Sequence, residues 1–60
     1  MWVIQVRYNG SVNWGQWGFI EAIDVGEAER KCKEILEKNL PIAEIRIMDS
    51  LVSNWKYIHR

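Results

Sequence analysis

Asp24-Val25-Gly26-Glu27-Ala28-Glu29-Arg30-Lys31-Cys32-Lys33-Glu34-Ile35-Leu36-Glu37-Lys38-Asn39-Leu40-Pro41 is the stretch on which the fold turns. Asp24 with Glu27 three residues on is a capping box, in which the Asp24 carboxylate takes an orphan amide and Glu27 reaches back. Ala28, Cys32, Ile35 and Leu36 recur at helical spacing as one narrow apolar stripe, and the other positions are mostly charged. Glu27–Lys31, Glu29–Lys33 and Glu34–Lys38 stand at i,i+4 with the acid first, the favoured order. Asn39 suits a left-handed cap and Pro41 forbids continuation, so the helix is expected to run to about Lys38.

Either side of this helix the period changes from helical to alternating. Trp2, Ile4, Val6 and Tyr8 share one face of a strand, with Val3, Gln5 and Arg7 on the other. Asn9-Gly10 is a turn dipeptide. The glycines at 15 and 18 favour a longer loop through Gly15, with a return strand at about Gln16 to Ile23. After the helix, Ile42 to Met48 alternates with Ile45 and Ile47 on one face and Glu44, Arg46 and Met48 on the other. Asp49 to Asn54 reads as a turn and Trp55 to His59 as a short final strand.

A right-handed strand–helix–strand crossover makes the third strand parallel to the second. With a hairpin before it, the expected sheet order is 2-1-3, or 2-1-3-4 with the last strand. The expectation is thus an α+β fold, ββαβ or ββαββ, antiparallel-dominated, with the helix on one face. Residues 1–60 are expected to form one domain.

One helix covers one face. The expected core is Ile4, Val6, Ile20, Ala22, Ile45 and Ile47 beneath Ala28, Cys32, Ile35 and Leu36. By alternation Trp17, Phe19 and Ile23 point the other way, joined by Val3 and Met48, with Trp14 and Trp55 extending the patch. Monomeric soluble proteins rarely expose such a patch. The C-terminal arm, a second copy or another protein are the alternatives for what covers it. The expected binding surface is therefore Trp14, Trp17, Phe19, Trp55 and Tyr57.

Sixty residues bury only about 60% of their unfolded surface, so the stability of such a domain is marginal. The single cysteine, Cys32, forms no intrachain disulfide, which points to a reduced, cytoplasmic setting. Eight basic residues balance eight acidic ones. That balance argues against a dedicated polyanion binder and favours self-association. Met1 to Tyr8 is too short and too polar for a signal peptide, and no apolar run is long enough to span a membrane.

Catalytic chemistry finds little support. His59 is the only histidine, and with Cys32 it is too little for a four-ligand zinc site within one chain. Glu21, Asp24, Glu44 and Asp49 are scattered, whereas acid–base work needs converging groups in a pocket. Gly10, Gly15 and Gly18 precede no helix, so they are not a phosphate loop. No enzyme activity, cofactor or metal is expected. Trp17 and Phe19, two apart on a strand, do allow base stacking, which makes single-stranded nucleic-acid binding the alternative function.

The run Phe19-Ile20-Glu21-Ala22-Ile23-Asp24 leading into Glu27-Ala28 of a charged helix, with a Gly/Trp loop before it and an Ile-rich strand after it, resembles short phage and mobile-element proteins. The layout is also similar to the ribosomal LX type, which is strongly basic where this chain is neutral. The resemblance covers about two thirds of the chain and carries over no functional residue. It implies a small accessory protein that acts by binding, self-associating as a homodimer or inhibiting or redirecting a host protein.

Overall fold

The computed structural model describes residues 1–51 and 54–60. Among them the chain forms β1 (Trp2–Tyr8), β2 (Gly15–Ile20), α1 (Val25–Lys38), β3 (Ile42–Asp49) and β4 (Lys56–His59). The strands make one antiparallel sheet of order β2-β1-β3-β4, the longer ββαββ form of the expectation. Residues 52 and 53, within the turn expected over 49–54, lie outside the described residues.

The helix starts where its cap dictates: Asp24 Oδ1 accepts from the Glu27 amide at 2.9 Å. The Glu27 carboxylate turns instead to Lys31 at 3.6 Å and Arg30 at 4.0 Å. Glu29 does not pair with Lys33 but with Lys56 at the start of β4, at 2.8 Å. At the other end Asn39 is not left-handed, with φ −129°. The Asn39 amide donates to the Leu36 carbonyl at 3.4 Å and the Ile42 amide to that of Asn39 at 2.9 Å, and side chains add to these backbone bonds. Asn39 Nδ2 donates to the Ile35 carbonyl at 2.8 Å, and Arg60 donates to those of Leu36, Asn39, Leu40 and Ile42 at 2.6–3.2 Å. Nη1 serves Leu36, and the two hydrogens of Nη2 are shared among the carbonyls of Asn39, Leu40 and Ile42.

The loop after β1 is the longer one. The Ser11 amide donates to the Tyr8 carbonyl at 3.0 Å, and Gly10 supplies the positive φ of 82° that this turn needs. Asn9 ties the turn to the α1–β3 connection through the carbonyls of Leu40 and Pro41. The return strand stops at Ile20, three residues short of the expected end. Ile23 therefore leaves the sheet and is 88% exposed before the helix.

Ile4, Val6, Ala28, Cys32, Leu36, Ile42, Ile45, Ile47 and Ile58 form the buried core, with Trp2, Ile20, Ala22 and Ile35 packed at its margin. Ile42 and Ile58 are additions to the expected set. Ile42 faces the helix because the register shifts at Ala43: Arg7 pairs with Glu44, and Tyr8 already pairs with Ile42. A bulge of this kind restores Ile42 to the same face as Ile45, which strict alternation forbids. Burying nine such side chains is the main source of stability, at about 1.5–3 kcal/mol for each of the larger ones.

Candidate binding surface on the open sheet face

The face away from the helix is organised in rows across the strands. Phe19, Val3 and Met48 align at one end; Gln16, Gln5, Arg46 and Tyr57 form the middle row; Arg7, Glu44 and His59 close the other end. Apolar, mixed and ionic chemistry thus follow one another along the strands.

In the ionic row one carboxylate serves two partners. Glu44 Oε1 lies 3.2 Å from Arg7 Nε, and Glu44 Oε2 lies 3.0 Å from His59 Nδ1. Arg7 also donates to the Ser11 carbonyl at 3.0 Å, so the row fixes both the hairpin loop and β4 to the centre of the sheet. This places the sole histidine in a structural contact between β3 and β4.

In the middle row the hairpin loop and the last connection meet over Arg46. Its guanidinium carbon lies 4.5 Å from the centroid of the Trp14 ring and 4.3 Å from that of Trp55. Nε donates to Gln5 Oε1 at 2.8 Å, which sets the orientation of the guanidinium plane. Tyr57 meets Trp14 edge-on, with centroids 5.8 Å apart and planes at 63°. A cation against electron-rich faces and two aromatics in an edge contact are both attractive arrangements. Trp14 and Trp55 are half-buried as a result, and Tyr57 remains 49% exposed.

The structure thus gathers three of the five expected surface residues, Trp14, Trp55 and Tyr57, around a cation. Trp17 and Phe19 stand apart on the outer strand, 43% and 62% exposed. Between them and the cluster the β1–β2 register shifts: Gly18 pairs with Ile4, Gln16 pairs with Gln5, and Trp17 is the extra residue of a bulge. Gly18 has φ 149°, a conformation that side-chain-bearing residues rarely adopt. Arg46 is the central member of the cluster, on the face where alternation places it with Glu44 and Met48. What marks it in sequence is a cation on the open face of a strand in a chain with four tryptophans.

Elsewhere the surface offers little chemistry. A concavity of about 400 Å³ is lined by Lys33, Leu36, Glu37, His59 and Arg60, two of which are engaged by Glu44 and by the helix-end carbonyls. Cys32 is buried on the inner stripe, and burial pushes its thiol up to about 11. Among the described residues no group of three or more His, Cys, Asp or Glu is placed to hold a metal. Nor, among them, is any helix long and apolar enough to cross a membrane. Comparison with protein-family models, curated proteins and solved structures finds no significant match in any of the three.

Proposed function

We propose that this chain is a non-enzymatic protein-binding module whose anchors are Trp17 and Phe19, with the Trp14–Tyr57–Trp55 cluster beside them. The observation that carries this reading is the outer strand itself. Gly15 to Ile20 has no charged residue, yet it holds the half-exposed Trp17 and the 62%-exposed Phe19 next to the apolar Val3–Met48 row. Large aromatics held in water on rigid backbone are the usual anchors of interfaces, each costing about 2 kcal/mol or more when truncated. An accessory role of the phage or mobile-element kind, occupying a surface of a host protein from the cytoplasm, fits this layout.

The test is affinity capture from lysate of the native host with wild type, Trp17→Ala and Phe19→Ala, each first shown to be folded by circular dichroism. A bound protein retained by wild type and depleted tenfold by both substitutions supports the reading. Equal capture by all three sinks it.

A second reading, single-stranded nucleic-acid binding, is favoured by the stacking of Arg46 on two indoles beside exposed aromatics. Stacking would quench tryptophan fluorescence on titration with short oligonucleotides, and affinity would fall with salt. Absence of quenching at low salt ends this reading.

A further inference from the structure

Three of the four arginines have an evident counterpart. Arg7 lies 3.2 Å from Glu44, Arg30 lies 4.0 Å from Glu27, and Arg60 donates to the carbonyls at the helix end. Arg46 is half-buried, yet among the described residues no carboxylate forms an ion pair with it. Its Nε and Nη2 both donate to Gln5 Oε1, which takes up the side-on edge of the guanidinium. The end-on edge, Nη1 with the second hydrogen of Nη2, has no acceptor among the described residues. Nη1 reaches solvent, since none of their buried side-chain nitrogens is left unpartnered. The faces of Trp14 and Trp55 hold the cation in place but offer its N–H groups no lone pair. In a chain of formal charge zero, the strand residues of this face carry two guanidiniums, Arg7 and Arg46, against the one carboxylate of Glu44. Glu44 is engaged by Arg7 and His59, so the surplus charge is that of Arg46.

We propose that Arg46 is an anion receptor on the binding face, its open guanidinium edge taking a carboxylate of a partner protein in two parallel N–H···O bonds. The proposal rests on the protein-binding role above and names what that partner presents: an Asp or Glu side chain flanked by apolar ones. The open edge has two hydrogens that point the same way, which matches the two oxygens of a carboxylate. Held by Trp14, Trp55 and Gln5, the guanidinium is already ordered, so little rotamer freedom is lost on binding. The Val3–Met48 row, one step along the strands, supplies apolar contact beside it, with Phe19 at its outer end. A phosphate would fit the same edge, but a nucleic-acid strand brings a charge with every nucleotide. No lysine stands on this face to meet those charges: Lys31, Lys33 and Lys38 are on the helix, and Lys56 pairs with Glu29. A surplus of one guanidinium suits one carboxylate better than a polyanion.

Nuclear magnetic resonance titration tests this by following the Arg46 Nε–H signal and the indole N–H signals of Trp14 and Trp55. The probes, at matched ionic strength, are acetyl-Leu-Glu-Leu amide, its Leu-Gln-Leu counterpart and a short oligothymidylate. The acidic peptide should shift these signals saturably and bind roughly fivefold more tightly than the Gln peptide. Both peptides meet the unchanged chain, so this comparison does not depend on how a variant folds. In Arg46→Lys, with the fold checked by circular dichroism, the preference should shrink, since an ammonium keeps the charge without the fork. No saturable shift, equal affinity of the two peptides, or an undiminished preference in folded Arg46→Lys overturns the proposal. Tighter binding of oligothymidylate than of the acidic peptide assigns the edge to phosphate and overturns it as well. Any of these leaves the binding role standing if lysate capture still depends on Trp17 and Phe19. Loss of that dependence, with the peptide preference intact, removes the role and leaves the anion site.

Discussion

The guanidinium of Arg46 rests 4.3 Å from the centre of the Trp55 ring, and this contact ties the entry of β4 to the middle of the sheet. Trp14 supplies the second ring, so a loop before β2 and a connection after β3 are held by one cation. Cation–aromatic contacts are worth about 0.5–1 kcal/mol when exposed and about 2 when desolvated. Arg46→Ala is therefore expected to destabilise the fold by roughly 1–3 kcal/mol in urea unfolding. A double-mutant cycle with Trp55→Ala should show a coupling of about 1 kcal/mol, and simple additivity would mean that the contact contributes nothing.

Arg60 closes the far end of α1 from outside the helix. Its donors reach the carbonyls of Leu36 and Ile42 at 2.6 Å and those of Asn39 and Leu40 at 2.9 and 3.2 Å. Hydrogen bonds from a charged donor contribute about 1.5–3 kcal/mol, and a cation also complements the negative helix end. Arg60→Ala should lower stability by about 2 kcal/mol, with Arg60→Lys recovering only part, since an ammonium lacks the fork. A thermal melt in which Arg60→Ala matches wild type would refute this.

Most of the frame was legible because each element has one buried side. Alternation through Ile4 and Val6, the stripe of Ala28, Cys32 and Leu36, and the Asp24 cap all report local geometry, and the strand order follows from the crossover rule. Two bulges were not legible. The one at Ala43 brings Ile42 into the core, and the one at Trp17 separates the outer strand into two registers. Both depend on how β1 pairs on either side, which no single segment encodes. Ile23 fell outside the sheet for the same reason, because pairing with β1 stops at Ile20. The surface was readable residue by residue but not as contacts: positions 14, 46 and 55 meet only once the sheet has formed. Asn39 is not left-handed: its amide and side chain donate to the Leu36 and Ile35 carbonyls, and the distant Arg60, which reaches Leu36 as well, was not readable from the local sequence.

Gly18 marks the bulge, and its φ of 149° is the reason for a glycine there. An added Cβ would meet no atom within 4 Å, so the cost of substitution is that of the backbone alone. Such conformations cost side-chain-bearing residues about 1–3 kcal/mol. Gly18→Ala should destabilise by that amount, whereas Gly15→Ala, with ordinary φ and only the Val6 carbonyl at 3.9 Å, should be nearly silent. Equal effects at the two positions would show that the bulge is not under conformational constraint.

Cys32 gives the fold a dependence on alkaline pH. It is fully buried against the core, and desolvation, with a smaller contribution from nearby Glu29, raises its thiol from 9.0 to about 11. Between these values the unfolded chain has lost the proton that the folded chain keeps, so stability falls as pH rises through this window and flattens above it. Each unit corresponds to about 1.4 kcal/mol, giving a loss of roughly 2–3 kcal/mol by pH 11. Urea midpoints for wild type and Cys32→Ala between pH 8 and 11 isolate this contribution, because lysine and tyrosine titration are common to both chains. The substitution costs stability at pH 8 through the cavity it leaves, and the gap between the two proteins should close as pH rises. The same burial makes the native thiol slow to alkylate with iodoacetamide, by orders of magnitude relative to the chain in urea. Parallel pH profiles together with rapid native alkylation would mean that Cys32 reaches solvent in the folded state.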